Sequence, residues 1–137
     1  MDKCVFCKIV KGKLPYHKVY ENESVLAFAP LKEDIIAKGH MLVITKKHFA
    51  DIYDISQKEL HQVMDAIKII SQKLKEKYNA EGTNILHASG KVGQQSVFHF
   101  HVHLVPRYKG DKIDTWPKTG YKEGNFPGVY EEIKDLF

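Results

Sequence analysis

The chain has only two cysteines, one tryptophan and five prolines, and its apolar runs are short. Two cysteines cannot build a disulfide scaffold, so these 137 residues must be held by a hydrophobic core, which this length can supply as one domain. The apolar runs fall well short of the roughly 20 residues that a membrane span needs. Met1-Asp2-Lys3-Cys4 does not read as a signal peptide, so a cytoplasmic protein with no membrane partner is expected. Charge of one sign is not in large excess: 21 basic against 17 acidic residues leave a net +4. Lysines such as Lys11, Lys18, Lys46, Lys73 and Lys77 are scattered, without a continuous basic face interleaved with aromatics. That pattern argues against a nucleic-acid partner and leaves room for a small anionic ligand. No repeat, low-complexity tract or interdomain linker interrupts the chain. The expected organisation is one domain over residues 1–137, with 106–137 as a C-terminal tail.

Histidine is what the chain does have. Three of its eight histidines alternate with apolar residues in Phe98-His99-Phe100-His101-Val102-His103-Leu104-Val105-Pro106-Arg107. Alternation reads as a β-strand, with His99, His101 and His103 on one face at steps of roughly 7 Å. Phe98, Phe100, Val102 and Leu104 are expected on the opposite face, in the core, and Pro106 is expected to end the ladder.

Elsewhere the pattern alternates between short strands and one long helix. Cys4 to Val10 fits a helical turn, and His17 to Glu21 and Ser24 to Ala29 fit two strands around Glu21-Asn22-Glu23. Pro30 to Lys38 is a loop, and Met41-Leu42-Val43-Ile44-Thr45 is a buried strand. Ser56 and Glu59 make a capping box for a helix whose Leu60, Val63, Met64, Ile67, Ile70 and Leu74 share one face. Thr83 to Ala88 is a further strand, and Val129 to Phe137 a short final helix. Connections this short favour antiparallel pairing, so the fold class is α+β: an antiparallel sheet of about five strands with one long helix and short terminal helices.

Two clusters carry the chemistry, and each admits several readings. Cys4-Val5-Phe6-Cys7 has the spacing of half a zinc site, of a redox dithiol, or of two cysteines close by accident. No strand precedes it, which weakens the redox reading. The three histidines could be an exposed strand surface, the ligands of a catalytic metal, or a divided set in which His99 joins a structural metal while His101 and His103 do chemistry. A straight strand spreads the outer pair by roughly 13 Å, against Zn–N bonds of about 2.0–2.1 Å, so one ion cannot collect all three without a kink.

His99-Phe100-His101-Val102-His103-Leu104-Val105 resembles the histidine-triad signature of the HIT family of nucleotide-binding hydrolases and transferases. The opening Cys4-Val5-Phe6-Cys7-Lys8-Ile9-Val10-Lys11-Gly12-Lys13-Leu14-Pro15 is similar to that of the family's bacterial-type and Hint-like branch. So are Gly39-His40-Met41-Leu42-Val43-Ile44-Thr45-Lys46-Lys47-His48 and Gln95-Ser96-Val97-Phe98. The resemblance implies that His101 attacks the α-phosphorus of a purine nucleotide conjugate and carries a transient nucleotidyl group. It implies further that His103 hydrogen-bonds a phosphate oxygen or the bridging atom, and that His40 supports the triad. Neutral imidazole is a competent nucleophile near pH 7. Leu14, Phe28 and Leu31 match positions that enclose the base, and Gly90 to Ser96, with Gln95 and Ser96, match the phosphate loop. Cys4, Cys7, His48 and His99 match the ligands of a structural zinc, with no catalytic cofactor required. Relatives form homodimers by joining their sheets.

The chain departs from that pattern at several positions. Relatives commonly carry an Asp soon after the Phe28 position for the ribose hydroxyls; Phe28-Ala29-Pro30-Leu31 has none, and Glu33 or Asp34 is the nearest candidate. Relatives often have Asn near Ala88 and Gly at Gln94. Within the enzyme reading two substrate classes remain, a nucleoside phosphoramidate or a dinucleoside polyphosphate, the latter with Arg107 and Lys109 steadying extra phosphates. A nucleotide-binding adaptor with little turnover is the non-enzymatic alternative.

Overall fold

The computed structural model describes residues 3–122, 124 and 126–137. Its elements run α1 (Val5–Val10), β1 (Lys18–Glu21), β2 (Val25–Phe28), a 3-10 turn (Lys32–Asp34), β3 (Met41–Thr45), α2 (Gln57–Tyr78), β4 (Gly82–Leu86), β5 (His101–Arg107) and α3 (Phe126–Lys134). The five strands form one antiparallel sheet in the order β1-β2-β3-β5-β4, the expected α+β architecture.

Both faces of the central strands are covered, which is why β2 and β3 read as continuous apolar runs rather than alternating ones. One face, with Val25, Ala27, Val43, Phe100, Val102 and Leu104, meets Val63, Ala66, Ile67 and Ile70 of α2. The other carries Leu26, Phe28, Leu42 and Ile44 and is capped by Phe6 and Ile9 of α1. Burying each large aliphatic side chain contributes about 1.5–3 kcal/mol, so α2 and α1 are held chiefly by these faces. Ser56 caps α2 as expected, its Oγ accepting the Glu59 N–H at 3.2 Å. The Glu59 carboxylate faces Lys47 Nζ at 3.6 Å. At the far end Asn79 takes the left-handed conformation (φ 56°) and closes the helix on the Lys75 carbonyl.

Five expectations need correction. β5 begins at His101, so His99 lies before the strand rather than on it. Phe98 is half-exposed instead of in the core, because the chain bends through this stretch before joining the sheet. Pro106 does not end the ladder: it is buried within β5 opposite Thr83. β3 pairs with β5 only as far as Leu104, so the proline falls where β5 has a strand neighbour on one side alone, a position that tolerates a missing N–H. Gly39, in a positive-φ conformation, makes room for it; a Cβ there would sit 3.2 Å from Pro106 Cγ. Met64, placed on the buried stripe of α2, is 43% exposed. The final helix spans Phe126–Lys134, earlier than Val129 to Phe137.

Candidate active site and metal centre

β3 and β5 set the site because their register places Leu42 opposite His103 and Ile44 opposite His101. The two histidines thus emerge on the sheet face that α1 covers, at the floor of an open cleft of about 1300 Å³. Leu14, Phe28, Leu31, His40, Ser96, His101 and His103, all singled out from sequence, line it. Asp34 lines it as well, unlike Glu33.

Main-chain partners fix which nitrogen of each imidazole carries the proton. A carbonyl oxygen only accepts, so His101 Nδ1, 2.7 Å from the His99 carbonyl, must donate, leaving a bare lone pair on Nε2. A backbone N–H only donates, so His40 Nδ1 accepts from Ile36 N–H at 3.2 Å and the His40 proton sits on Nε2. That proton points at His103 Nδ1, 3.0 Å away, which leaves His103 with its own proton on Nε2. The cleft floor therefore offers a bare imidazole lone pair on His101 beside an N–H donor on His103.

Electrostatics keeps these rings neutral. Burial, followed by the neighbouring His101 and His40, holds His103 down to about 4. Burial lowers His101 and His40 as well, although Asp34 works against it at His40. Neutral rings keep one lone pair and one N–H on each of these imidazoles.

The phosphate-loop expectation divides. Ser96 is exposed to the cleft. The Gln95 side chain is buried and committed elsewhere: Oε1 accepts from Gly90 N–H at 2.8 Å, and Nε2 donates to the Ala50 and Val97 carbonyls at 2.7 and 3.0 Å. Gln95 thus shapes the loop rather than presenting donors to a ligand. Gln94, where relatives often have Gly, holds φ 71°. Arg107 is likewise occupied. It donates to both Asp111 oxygens at 2.8 Å, to Asn84 Oδ1 and to the Ile113 carbonyl, and it does not line the cleft.

The four expected metal ligands meet. Cys4 Sγ, Cys7 Sγ, His48 Nδ1 and His99 Nδ1 all lie within 4.8 Å of one another. Around tetrahedral zinc, bonds of about 2.3 Å to sulfur and about 2.05 Å to nitrogen give S···N edges of about 3.6 Å. Here the Cys4–His99, Cys7–His99 and Cys7–His48 edges measure 3.5, 3.6 and 3.3 Å. His99 donates from Nε2 to the Thr45 carbonyl at 2.7 Å, so its Nδ1 lone pair faces the sulfurs in the manner of a metal-ligating imidazole. Burial and the Cys4 sulfur raise the Cys7 thiol, so a thiolate there requires a cation beside it. The donor set fits a closed structural zinc site.

Phe6 went unnoticed in the sequence as a spacer between cysteines. Its ring stands edge-on to His101 at 5.2 Å and to Phe28 at 5.6 Å, and it lines the cleft. Its three-residue spacing to Ile9 on α1 was the available signal, since it puts both on one helical face. Tyr16 and His17 also line the cleft and carried no signal of their own.

An antiparallel α+β domain with His101 and His103 side by side on one strand at a cleft, next to a Cys2His2 cluster, defines a narrow class. The chain belongs to the HIT family: the HIT domain family model matches residues 11–110. It is 40% identical over 136 residues to the Bacillus subtilis protein named Protein hit, covering 96% of this chain and 92% of that one. It is 34% identical over 139 residues to a Candida albicans protein named adenosine 5'-monophosphoramidase HNT1, covering 96% and 90% of the two chains. A solved structure described as a Zn-bound histidine triad family protein from Mycobacterium smegmatis superposes with a TM-score of 0.78 at 36% identity, covering 83% of this chain and 81% of that one.

Proposed function

We propose that this protein hydrolyses a purine nucleoside phosphoramidate through a nucleotidyl group carried on His101. The observation that carries the reading is the pairing of protonation states: a bare Nε2 on His101 and an N–H at Nε2 of His103, both at the cleft. The His101 lone pair forms a bond to the α-phosphorus as the bond from phosphorus to the amine breaks. The departing nitrogen takes the proton from His103 Nε2. Water then attacks phosphorus, the His101–phosphorus bond breaks, and one water proton returns to His103 while the nucleotide leaves.

Leu14, Phe28 and Leu31 supply apolar surface for the base, Ser96 offers a hydroxyl toward the phosphate or leaving group, and Asp34 is the acidic residue on hand for the ribose. The relative named adenosine 5'-monophosphoramidase supports this substrate class. The commitment of Arg107 to Asp111 and Asn84 takes the arginine out of the Arg107 and Lys109 pair that a dinucleoside polyphosphate would use. Zinc on Cys4, Cys7, His48 and His99 would tie α1 to the segment leading into β5 and take no part in bond breaking. A homodimer joined at the open β4 edge, where Ile85 is 47% exposed, is the assembly that the family resemblance favours, and light scattering in solution decides it.

The test is release of AMP from adenosine phosphoramidate and, separately, from diadenosine polyphosphate, by wild type and His101→Ala, with and without chelator. Faster release from the phosphoramidate that survives chelator and vanishes in His101→Ala is the expected result. Nucleotide binding without release from either substrate would make the protein an adaptor, and loss of activity in chelator with the fold intact would make it a metal hydrolase.

A further inference from the structure

His87 stands where β4 leaves the sheet. The last β4–β5 pair is Leu86 with His103, and beyond it the chain turns into the loop that carries Ser89 and Gly90. The His101 carbonyl therefore lies past the end of the β4 ladder. His87 Nδ1 reaches it at 2.8 Å, and because the carbonyl only accepts, His87 carries its proton on Nδ1. His87 Nε2 lies 2.5 Å from Ser89 Oγ, which itself accepts the Ile52 N–H at 3.0 Å, so the hydroxyl proton points back to Nε2. The ring stacks on the buried Phe100 with centroids 4.5 Å apart and planes 28° from parallel. Both nitrogens of a residue at the protein surface are thus committed, one to the backbone of His101 and one to the loop. Ser89 in turn is packed into that loop: a Cβ on Gly93 would meet its carbonyl oxygen at 2.6 Å.

We propose that His87 is a positioning residue for His101, a side-chain rung that takes over where the β4 ladder stops and ties the His101 peptide to the loop 89–95. The proposal rests on His101 being the nucleophile. The aim of the His101 ring depends on two main-chain carbonyls. The His99 carbonyl holds its Nδ1, and the His101 carbonyl, held by His87, sets the peptide plane from which the side chain springs. Freeing that peptide would let the ring drift, and a displacement of about 1 Å at a reacting atom can cost on the order of a hundredfold in rate.

Two substitutions separate the rung from simple packing. His87→Phe keeps a ring over Phe100 and removes the donor; His87→Asn keeps a donor near the Nδ1 position and removes the ring. The rung requires that His87→Phe lower kcat by about tenfold or more with KM within about twofold, and that His87→Asn recover most of the loss. His87→Asn as impaired as His87→Phe, or His87→Phe retaining wild-type kcat, would overturn it. A readout without substrate keeps the two levels of argument apart. In protein carrying isotope-labelled histidine, the His101 Nδ1 proton should be protected from exchange in wild type and in His87→Asn, and exposed in His87→Phe. Protection unchanged in His87→Phe would refute the rung even if wild type proved inactive, whereas an inactive wild type showing the expected protection would refute only the hydrolase reading.

Discussion

His40 Nε2 lies 3.0 Å from His103 Nδ1, and this bond decides which nitrogen of His103 bears a proton. The order begins at the Ile36 amide, which donates to His40 Nδ1 and forces the His40 proton onto the opposite nitrogen. His40→Ala removes the relay, so His103 is free to take either tautomer and its donor is no longer assured. General acid groups contribute about a hundredfold or more, so losing the tautomer bias should lower kcat by about tenfold to a hundredfold with little change in nucleotide affinity. Steady-state kinetics with AMP binding measured alongside checks this, and an unchanged kcat would remove His40 from the relay.

Burial also predicts the acid limb of the pH profile. His101 titrates below its ordinary value because desolvation disfavours its charged form. Its nucleophilic lone pair should survive acidification past pH 6.5, and the limb in kcat/KM should lie below the value of a free imidazole. Stability follows the same sign. His103 is held to about 4 when folded, so between about 6.5 and 4 the unfolded chain binds more protons and stability falls as pH falls. The full shift corresponds to about 3 kcal/mol, less whatever solvent screening removes. Melting scans from pH 8 to pH 4 should show a plateau above neutrality and a decline below about 6.5; a curve flat to pH 4.5 would contradict the buried, neutral assignment.

The Cys2His2 cluster predicts a separation between stability and chemistry. Cys4 and Cys7 flank one turn of α1, and their partners His48 and His99 come from opposite ends of the chain's middle. Metal there would close a long loop and fix His99, the residue two before His101. Cys4→Ser with Cys7→Ser should abolish zinc in the purified protein and cost several kcal/mol of folding free energy, less than the roughly 10–16 kcal/mol of zinc-finger peptides because this domain also has an apolar core. Release of AMP per folded molecule, at a temperature where the variant is still native, should fall much less. Metal analysis paired with calorimetry decides it, and equal melting temperatures would rule out a structural ion.

How far these features could be read in advance depends on whether their cause is local. The α2 cap at Ser56, the buried β3 run and, Met64 apart, the apolar stripe of α2 are written in neighbouring residues and emerged as expected. The four members of the Cys2His2 cluster were legible through the family resemblance, because their types and places in the chain match. What escaped was set by distant parts of the chain. Whether Phe98 is buried depends on where β5 meets β3, and the fate of Pro106 on where β3 stops. The Gln95 amide looks like a free donor until the Ala50 carbonyl is brought beside it. His87 gave no sequence signal, since its partner is a main-chain oxygen fourteen residues along.

Arg107 offers the sharpest contrast between a sequence role and a structural one. Its guanidinium grips both oxygens of Asp111 at 2.8 Å and also reaches Asn84, so it fastens the chain after β5 back onto β4. The grip, with N–H groups of Tyr108 and Ile113 on the same carboxylate, holds Asp111 well below the usual carboxylate range. Stability drawn from a lowered carboxylate is present above its unfolded value and is lost only as pH falls through the folded one, so this tie should persist deep into acid. Arg107→Ala should therefore lower the melting temperature while leaving kcat/KM for the phosphoramidate unchanged, because no part of the side chain lines the cleft. Diadenosine polyphosphate serves as the control. If Arg107→Ala raises KM for that substrate alone, with melting unaffected, the arginine is a phosphate clamp after all; if melting falls and both substrates behave alike, its work is to anchor the tail.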